Sequence, residues 1–178
     1  MNGTREIPLS QGKVAMIDEE DYELVGQYSW HVKKSGDVLY AYAYIGRVNG
    51  RQSFAAMHNL ILPVAEHQEV DHVDLNGLNN TKGNLRIATR QGNCRNRRKF
   101  KNSRSRFKGV TFMEHMKLKP WRARITGNDG VKRHLGVYET EEDAARAYNL
   151  AAEECFGQFA LLNAIPENTQ CLTSTKND

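Results

Sequence analysis

Long hydrophobic runs are missing from this sequence. No stretch of its 178 residues approaches the roughly 18 apolar residues that a membrane-spanning helix needs. The first residues, MNGTREIPLSQGKV, lack the apolar core of a secretory signal. The three cysteines are odd in number and form no C-x-x-C pair, which predicts neither a disulfide framework nor a zinc ribbon. We therefore expect a soluble cytoplasmic protein with no membrane partner.

Acidic residues are scarce in one part of the chain. Residues 95–138 carry 14 Lys and Arg against 2 Asp and Glu, a net charge of 14 − 2 = +12, whereas residues 1–94 carry 9 − 11 = −2 and residues 139–178 carry 2 − 8 = −6. A basic block of this size repels itself unless a polyanion neutralises it, and nucleic acid is the commonest such partner. The alternative is a solvated basic linker.

The first half of the chain has the alternation typical of strands. IPLSQGKVAMID predicts a hairpin, and DVLYAYAYIGRV alternates apolar residues with tyrosines, so we expect a small sheet anchored in the core by Tyr28 and Trp30. SFAAMHNLI predicts a short helix with Phe54, Met57 and Ile61 on one stripe. The segment from Val70 to Ala88 then indicates a strand, a long Asn-rich and Gly-rich turn and a second strand, followed by a helix capped by Thr89.

The second half predicts three short strands and one helix. WRARI places Trp121, Ala123 and Ile125 on a buried face and two arginines on a cationic face. Thr140 is expected to cap a helix with the apolar stripe Ala144, Ala147, Tyr148, Ala151 and Cys155 that ends at Gly157. We predict a flexible tail over residues 165–178.

Four polar residues in and around these two strands are the candidates for chemistry. Asp71 and His72 come first, Asn84 lies 84 − 72 = 12 residues after His72, and Asn93 lies 93 − 72 = 21 residues after it. If the strands pair and the helix packs across them, an acid and an amide can share a cation while His72 takes a proton from water. For His72 by itself, a hydrogen-bonded turn histidine is the alternative.

The segment DHVDLNGLNNTKGNLRIATRQGN, residues 71–93, resembles the homing and phage branch of the HNH endonucleases, whose fold is a ββα-metal finger. The resemblance implies that His72 is the general base, that Asp71 and Asn93 bind the metal and that Asn84 orients the base and stabilises the loop. It makes Asp74, Asn79 and Asn80 loop-forming residues. His58 resembles a histidine ahead of the finger in this branch, for which we expect packing or a phosphate contact. Hard oxygen ligands suit one Mg²⁺ or Mn²⁺ ion.

A second resemblance covers about 59 residues of the C-terminal part. SRFKGVTF, WRARI, HLGVYETEEDAARAYNLAA and a final LN are similar, in that order, to the Apetala or ethylene-response-factor type of DNA-binding domain, which lays a three-stranded sheet in the major groove. Thr111, Met113 and His134 depart from the plant pattern, so the plant target sequence does not transfer. The expected base readers are Arg122 and Arg124, since arginine pairs with guanine through two donors. Solvated surface charge is the alternative. The full set of expected DNA contacts is Arg95, Arg97, Arg98, Lys99, Lys101, Arg104, Arg106, Lys108, Arg122, Arg124, Lys132 and His134.

Together these features predict an α+β protein. It would comprise an HNH domain over residues 1–94 with its finger at 68–100, a basic linker over 95–106 and a recognition domain of three antiparallel strands on one helix over 105–164. The expected function is metal-dependent, sequence-preferring nicking of double-stranded DNA by a monomer or homodimer, without a small-molecule cofactor, as in phage or intron-borne homing endonucleases. A DNA-binding transcription regulator with a dead finger is the main alternative, and an RNA-binding protein is a third.

Overall fold

The computed structural model describes residues 3–95 and 104–166. The chain is α+β and divides into two compact units, residues 1–97 and 98–178, which are described separately below. Its strands form four small antiparallel sheets. Within the described ranges, no helix is both long and apolar enough to cross a bilayer.

A hairpin and a three-stranded sheet open the first unit. Strands β1 (Thr4–Pro8) and β2 (Val14–Asp18) pair with each other and precede the short helix α1 (Tyr22–Val25). Strands β3 (Trp30–Ser35), β4 (Val38–Val48) and β5 (Arg51–Ala56) form a sheet with β4 in the centre. The core of this unit is built from apolar side chains of both sheets and of helix α2 (Met57–Ile61), with Ile17, Val25, Trp30, Ala43 and Met57 among its buried members.

Phe54 corrects one expectation about this sheet. It was expected on the helix that begins in SFAAMHNLI, but it lies on β5, and the helix begins only at Met57. Pairing of β5 with β4 along residues 51–56 outweighs the local helical pattern. Trp30 is buried and Tyr28 packs against the core, as expected, whereas Phe54 is 52% exposed and Tyr44 is 46% exposed.

A hairpin and a helix follow, in the order that the sequence predicts. Strand β6 (Gln68–His72) pairs with β7 (Leu85–Thr89), and helix α3 (Arg90–Arg95) comes directly after β7. The Thr89 hydroxyl accepts a hydrogen bond from the amide of Gly92, as a capping residue does. The loop between the strands, residues 73–84, docks on β2 through two backbone hydrogen bonds, from Met16 N to Leu78 O (2.8 Å) and from Asn80 N to Met16 O (2.7 Å).

The second unit is a three-stranded sheet on one helix. Strands β8 (Val110–Phe112), β9 (Trp121–Thr126) and β10 (Lys132–Tyr138) pair with β9 in the centre, and helix α4 (Glu141–Phe156) packs on Ala123 and Ile125. The Thr140 side chain caps α4 by accepting from the amide of Asp143 (3.1 Å).

The buried stripe of α4 differs from the expected one. The helix buries Ala144, Ala145, Tyr148, Ala152 and Phe156, and it leaves Ala147, Ala151 and Cys155 half-buried. The alanines of this helix lie on two neighbouring stripes, and either stripe is small enough to pack against the sheet. The stripe that includes Phe156 is the buried one, because burying this large ring removes more apolar surface from water.

Candidate active site

The imidazole of His72 lies at the end of β6 among aromatic rings. It is 6% exposed, and its ring centroid lies 5.0 Å from that of His58 and 5.8 Å from that of Tyr40. Its Nε2 lies 3.2 Å from Oδ1 of Asn80. An imidazole nitrogen donates or accepts according to its tautomer, and with Oδ1 of Asn80 as the partner, Nε2 is the donor.

Asn80 ties this imidazole to the N-terminal hairpin. The residue is fully buried, and its backbone N–H donates to Met16 on β2. Two residues on, Lys82 donates from its backbone N–H to Asp18 (2.7 Å), and its ammonium lies 3.0 Å from Asp21. The hairpin of β1 and β2 therefore positions the loop that carries Asn80. The sequence does not single out Asn80 from the other asparagines of this loop.

Asn84 contacts the loop itself. Its Oδ1 accepts from the backbone N–H of Asp74 (3.0 Å), and its Nδ2 donates to the Asp74 carboxylate (2.9 Å) and to the carbonyl of Asn79 (2.8 Å). Asp74 also accepts from the Asn79 amide and the Asn76 backbone. Burial alone raises the pKa of Asp74, but these donors lower it overall. Asn84 thus closes the loop, and Asn80 is the amide that meets His72.

Asp71 and Asn93 lie on the same side of the hairpin. Nε and Nη2 of Arg86 donate to Oδ2 of Asp71 at 2.8 and 2.6 Å. On α3, Nδ2 of Asn93 donates to the Glu69 carboxylate (2.6 Å). Residues 69 and 71 are two apart on one strand, so they face the same side. The contact between Asn93 and Glu69 places Asn93 on the side of Asp71.

The donors on this side suit a hard divalent cation. Asp71 and Glu69 supply carboxylate oxygens, and the Asn93 amide, with its Nδ2 turned to Glu69, has its carbonyl oxygen for a cation. Arg86 would share the Asp71 carboxylate with that cation. Within the described ranges, no group of three or more His, Cys, Asp or Glu side chains is close enough to hold a metal. The predicted metal ligands, Asp71 and Asn93, do not form such a group, because only one of the two is acidic and the other is an amide.

Burial keeps both histidines of the site neutral. It lowers the pKa of His58 to about 4, with a further contribution from the nearby His72. Burial also lowers the pKa of His72 below its ordinary 6.5, although the hydrogen bond to Asn80 and the Asp74 and Asp71 carboxylates oppose the shift. A neutral imidazole is the form that accepts a proton, so the environment suits a general base at neutral pH.

The buried neutral state of His58 makes the first unit sensitive to acid. An unfolded histidine binds a proton near pH 6.5, whereas folded His58 does so only near pH 4, so the unfolded state binds more protons in between. We expect the contribution of His58 to the free energy of unfolding to be complete well above pH 6.5 and to fall by up to about 3 kcal/mol as the pH drops to 4. Urea unfolding of the protein in EDTA at a series of pH values measures this loss.

The matched variant for this experiment is His58→Gln, which has no titrating ring. Its unfolding free energy is expected to fall less steeply than that of the wild type between pH 6.5 and 4. Parallel curves for the two proteins would contradict the assignment of the acid sensitivity to His58.

Four of the expected DNA contacts of the second unit share one face of its sheet. Arg122 and Arg124 alternate with the buried Ala123 and Ile125, and His134 lies directly opposite Arg124 on β10. Lys132 lies opposite Thr126 and so faces the same way. Arg124, Lys132 and His134 are exposed, and Nε of Arg122 is buried without a hydrogen-bond partner among the described residues.

The remaining expected contacts divide into two groups. Arg104 pairs with Glu114 (2.5 Å), Arg106 pairs with Glu141 (3.1 Å) and with Glu142, and the backbone of Lys108 is bound by the side chain of Asn163. Arg106 and Asn163 therefore make contacts that hold parts of the second unit together. The other group lies outside the residues whose side chains the structure describes: Arg95, Arg97, Arg98, Lys99 and Lys101.

Comparisons with known proteins agree with the chemistry of this hairpin. A protein of Acanthamoeba polyphaga mimivirus, named as an uncharacterized HNH endonuclease, is 36% identical over 158 residues, which cover 87% of this chain and 77% of the viral protein. No family model matches the chain. No solved structure matches it either. A relationship of this closeness over most of both proteins shows that the chain belongs to the HNH endonuclease family.

Proposed function

We propose that this protein is a metal-dependent endonuclease that hydrolyses phosphodiester bonds of double-stranded DNA one strand at a time. The observation that carries the proposal is the setting of His72: a buried, neutral imidazole next to Asp71, with its Nε2 hydrogen-bonded to Asn80. The family relationship supports the same reaction class. A single hairpin-and-helix site per chain acts on a single strand, so a monomer nicks, and a pair of chains is needed to cut both strands.

His72 acts as the general base in this reaction. Asn80 accepts from Nε2 and so orients the imidazole, and Nδ1 takes a proton from the attacking water. Asn84 and Asp74 keep the loop closed, so that Asn80 stays in place. Arg86 contributes a positive charge beside the site, where a phosphate of the bound strand would lie.

Asp71 and Asn93 would hold the divalent cation, Mg²⁺ or Mn²⁺, and Glu69 orients Asn93. When bound, such an ion stabilises the charge that develops on the phosphate and on the leaving oxygen. The arrangement of β6, β7 and α3 would then be a ββα-metal finger.

The second unit serves recognition in this proposal. Its sheet presents Arg122, Arg124, Lys132 and His134 on the face opposite the helix, which is the arrangement expected of an Apetala-type reader of the major groove. The basic segment over residues 95–106 adds contacts to phosphates that are independent of sequence. In this proposal, the sheet of the second unit selects the DNA sequence, and the finger cleaves the DNA close to that sequence.

Supercoiled plasmid tests the proposal directly. Purified protein is expected to convert the plasmid to the open-circular form in the presence of Mg²⁺ or Mn²⁺ and to leave it intact in EDTA. Protein carrying His72→Gln, purified in the same way, controls for contaminating nuclease. A protein that shifts DNA in gels but does not nick it with any divalent metal would be a DNA-binding regulator with a catalytically inactive finger. Stronger binding to duplex RNA than to duplex DNA would indicate an RNA-binding protein.

Sequence preference is expected to depend on Arg122 and Arg124. A bidentate arginine contact to guanine discriminates against the wrong base by about 1–3 kcal/mol, so Arg122→Ala and Arg124→Ala should each relax preference at one position of the selected site. Selection from random duplexes followed by affinity measurements on single-base variants gives the result.

Arg146→Ala is the matched control for this experiment. Arg146 lies on α4, pairs with Asp143 and is not on the sheet, but its replacement removes the same charge. If Arg122→Ala and Arg124→Ala weakened binding equally on all sequences, these arginines would be phosphate contacts and not base readers.

A further inference from the structure

One face of the sheet formed by β3, β4 and β5 carries five aromatic rings. Tyr40, Tyr42 and Tyr44 occupy alternate positions of β4, and His31 and Phe54 lie directly opposite Tyr42 and Tyr44 on the flanking strands. We call this surface the aromatic face. Its rings contact one another: the Tyr44 and Phe54 centroids are 5.7 Å apart, and those of His31 and Phe54 are 6.2 Å apart.

The aromatic face is not needed for the core. Trp30, Ala41 and Ala43 point from the other side of the same sheet into the hydrophobic core and are buried. On the aromatic face, Tyr44 and Phe54 expose about half of their surface. Single exposed aromatics are ordinary, but a contiguous patch of them marks a binding surface.

The charges around this face suit a polyanion. Residues 30–56 contain a single acidic side chain, Asp37, and two of their four basic side chains, Lys33 and Arg47, lie on the aromatic face. The Lys33 ammonium lies over the ring of Tyr42, 4.6 Å from its centroid. Arg47 lies opposite Gln52, which is two residues from Phe54 and so faces the same side.

The aromatic face continues into the proposed active site. Tyr40 is its first ring, and Tyr40 lies 5.8 Å from His72 and 5.6 Å from His58, measured between ring centroids. Tyr42 and Tyr44 follow along β4, away from the two histidines. A strand of nucleic acid with a phosphate at His72 would therefore run along these rings.

We propose that the aromatic face binds an unpaired DNA strand beside the cleavage site. Bases stack on Tyr44 and Phe54, while Lys33 and Arg47 contact phosphates. Exposed rings with neighbouring cations bind single strands by stacking, whereas a paired duplex keeps its base faces inside the helix. The proposal rests on the proposed function only in placing this strand at His72. It implies a preference for DNA with unpaired nucleotides, such as a bubble or a flap, over fully paired DNA.

Binding in EDTA, where no cleavage occurs, tests this inference. Fluorescence anisotropy compares a paired duplex with a duplex of the same length that has a central unpaired bubble. A variant combining Tyr44→Ala and Phe54→Ala is expected to lose about tenfold or more in affinity for the bubble, since stacking on each ring contributes at least a few-fold, and to bind the paired duplex as the wild type does. Val48→Ala is the matched control: Val48 is 60% exposed on the same strand, but it lies opposite Arg51 on the other face.

An equal loss on bubble and duplex would overturn the inference in favour of a duplex-binding surface, and an unchanged affinity for the bubble would overturn it outright. So would a loss of the same size in Val48→Ala. If the double variant failed to fold, Phe54→Trp decides, because its added fluorescence should be quenched by the bubble and not by the duplex. Absence of quenching would refute stacking at this position. A protein that prefers the bubble but never nicks plasmid would refute the proposed function and leave this binding surface standing.

Discussion

His72→Gln is expected to slow plasmid nicking by about a hundredfold to ten-thousandfold, the usual contribution of a positioned general base. Glutamine is close to histidine in size and can meet the Asn80 amide, but it cannot take a proton from water. DNA affinity should stay unchanged, because the imidazole is buried and contributes no net charge at neutral pH. Initial nicking rates and gel-shift affinities measured on the same preparations separate the two effects.

His67→Gln is the control for this substitution. His67 lies in the same unit, and its side chain is 90% exposed in the turn before β6, so the same chemical change there should leave nicking unaltered. If His72→Gln retained more than about a tenth of the wild-type rate, His72 would not be the base of this reaction.

The largest effect on stability is expected for Gly109→Ala in the second unit. Gly109 has φ of +77°, where alanine is strained, and a Cβ there would lie 1.9 Å from Cδ2 of the buried Tyr148. The left-handed backbone costs about 1–2 kcal/mol and overpacking of a core about 1–3 kcal/mol more, which is a large share of the stability of a small domain. Hydrogen exchange followed by mass spectrometry should show lost protection in β8, β9, β10 and α4, with the first unit as an internal reference.

Gly130→Ala separates the two causes. Gly130 has the same φ of +77°, but a Cβ there meets nothing within 4 Å. Gly130→Ala should lower the free energy of unfolding by only about 1–2 kcal/mol, the cost of the left-handed backbone, and should leave the unit folded. Equal losses in the two variants would show that the ring of Tyr148 moves aside without cost.

Local sequence signals predict the strands and the helix that surround the site, but they do not predict which site residues contact each other. Alternating apolar residues around Val70 and Leu85 predict the two strands, and Thr89 predicts the start of α3, because these signals lie within a few residues of each other. The choice of Asn80 as the partner of His72 depends on pairing between residues 16 and 80, and separations of that kind leave no local pattern. Four asparagines of similar appearance, Asn76, Asn79, Asn80 and Asn84, share the loop.

Two further features depend on tertiary contacts. The salt bridge between Asp71 and Arg86 follows from the strand register, which sets these residues opposite each other, and a long loop between two strands carries no short turn signal that would predict the register. Phe54 follows a helical pattern in sequence but joins a sheet because β4 offers it a partner strand. The roles of His72, Asn84, Asp71, Asn93 and the cationic sheet stay predictions.

The docking of the loop on β2 has a practical consequence for protein engineering. A cutting cassette excised as residues 68–95 would leave behind Met16, Asp18 and Asp21, which hold the backbone of Asn80 and both ends of Lys82. Grafted onto a foreign DNA reader, such a fragment would have to find its catalytic shape without that support. We therefore expect the whole first unit, including the hairpin of β1 and β2, to be the smallest fragment that keeps this loop in its observed position.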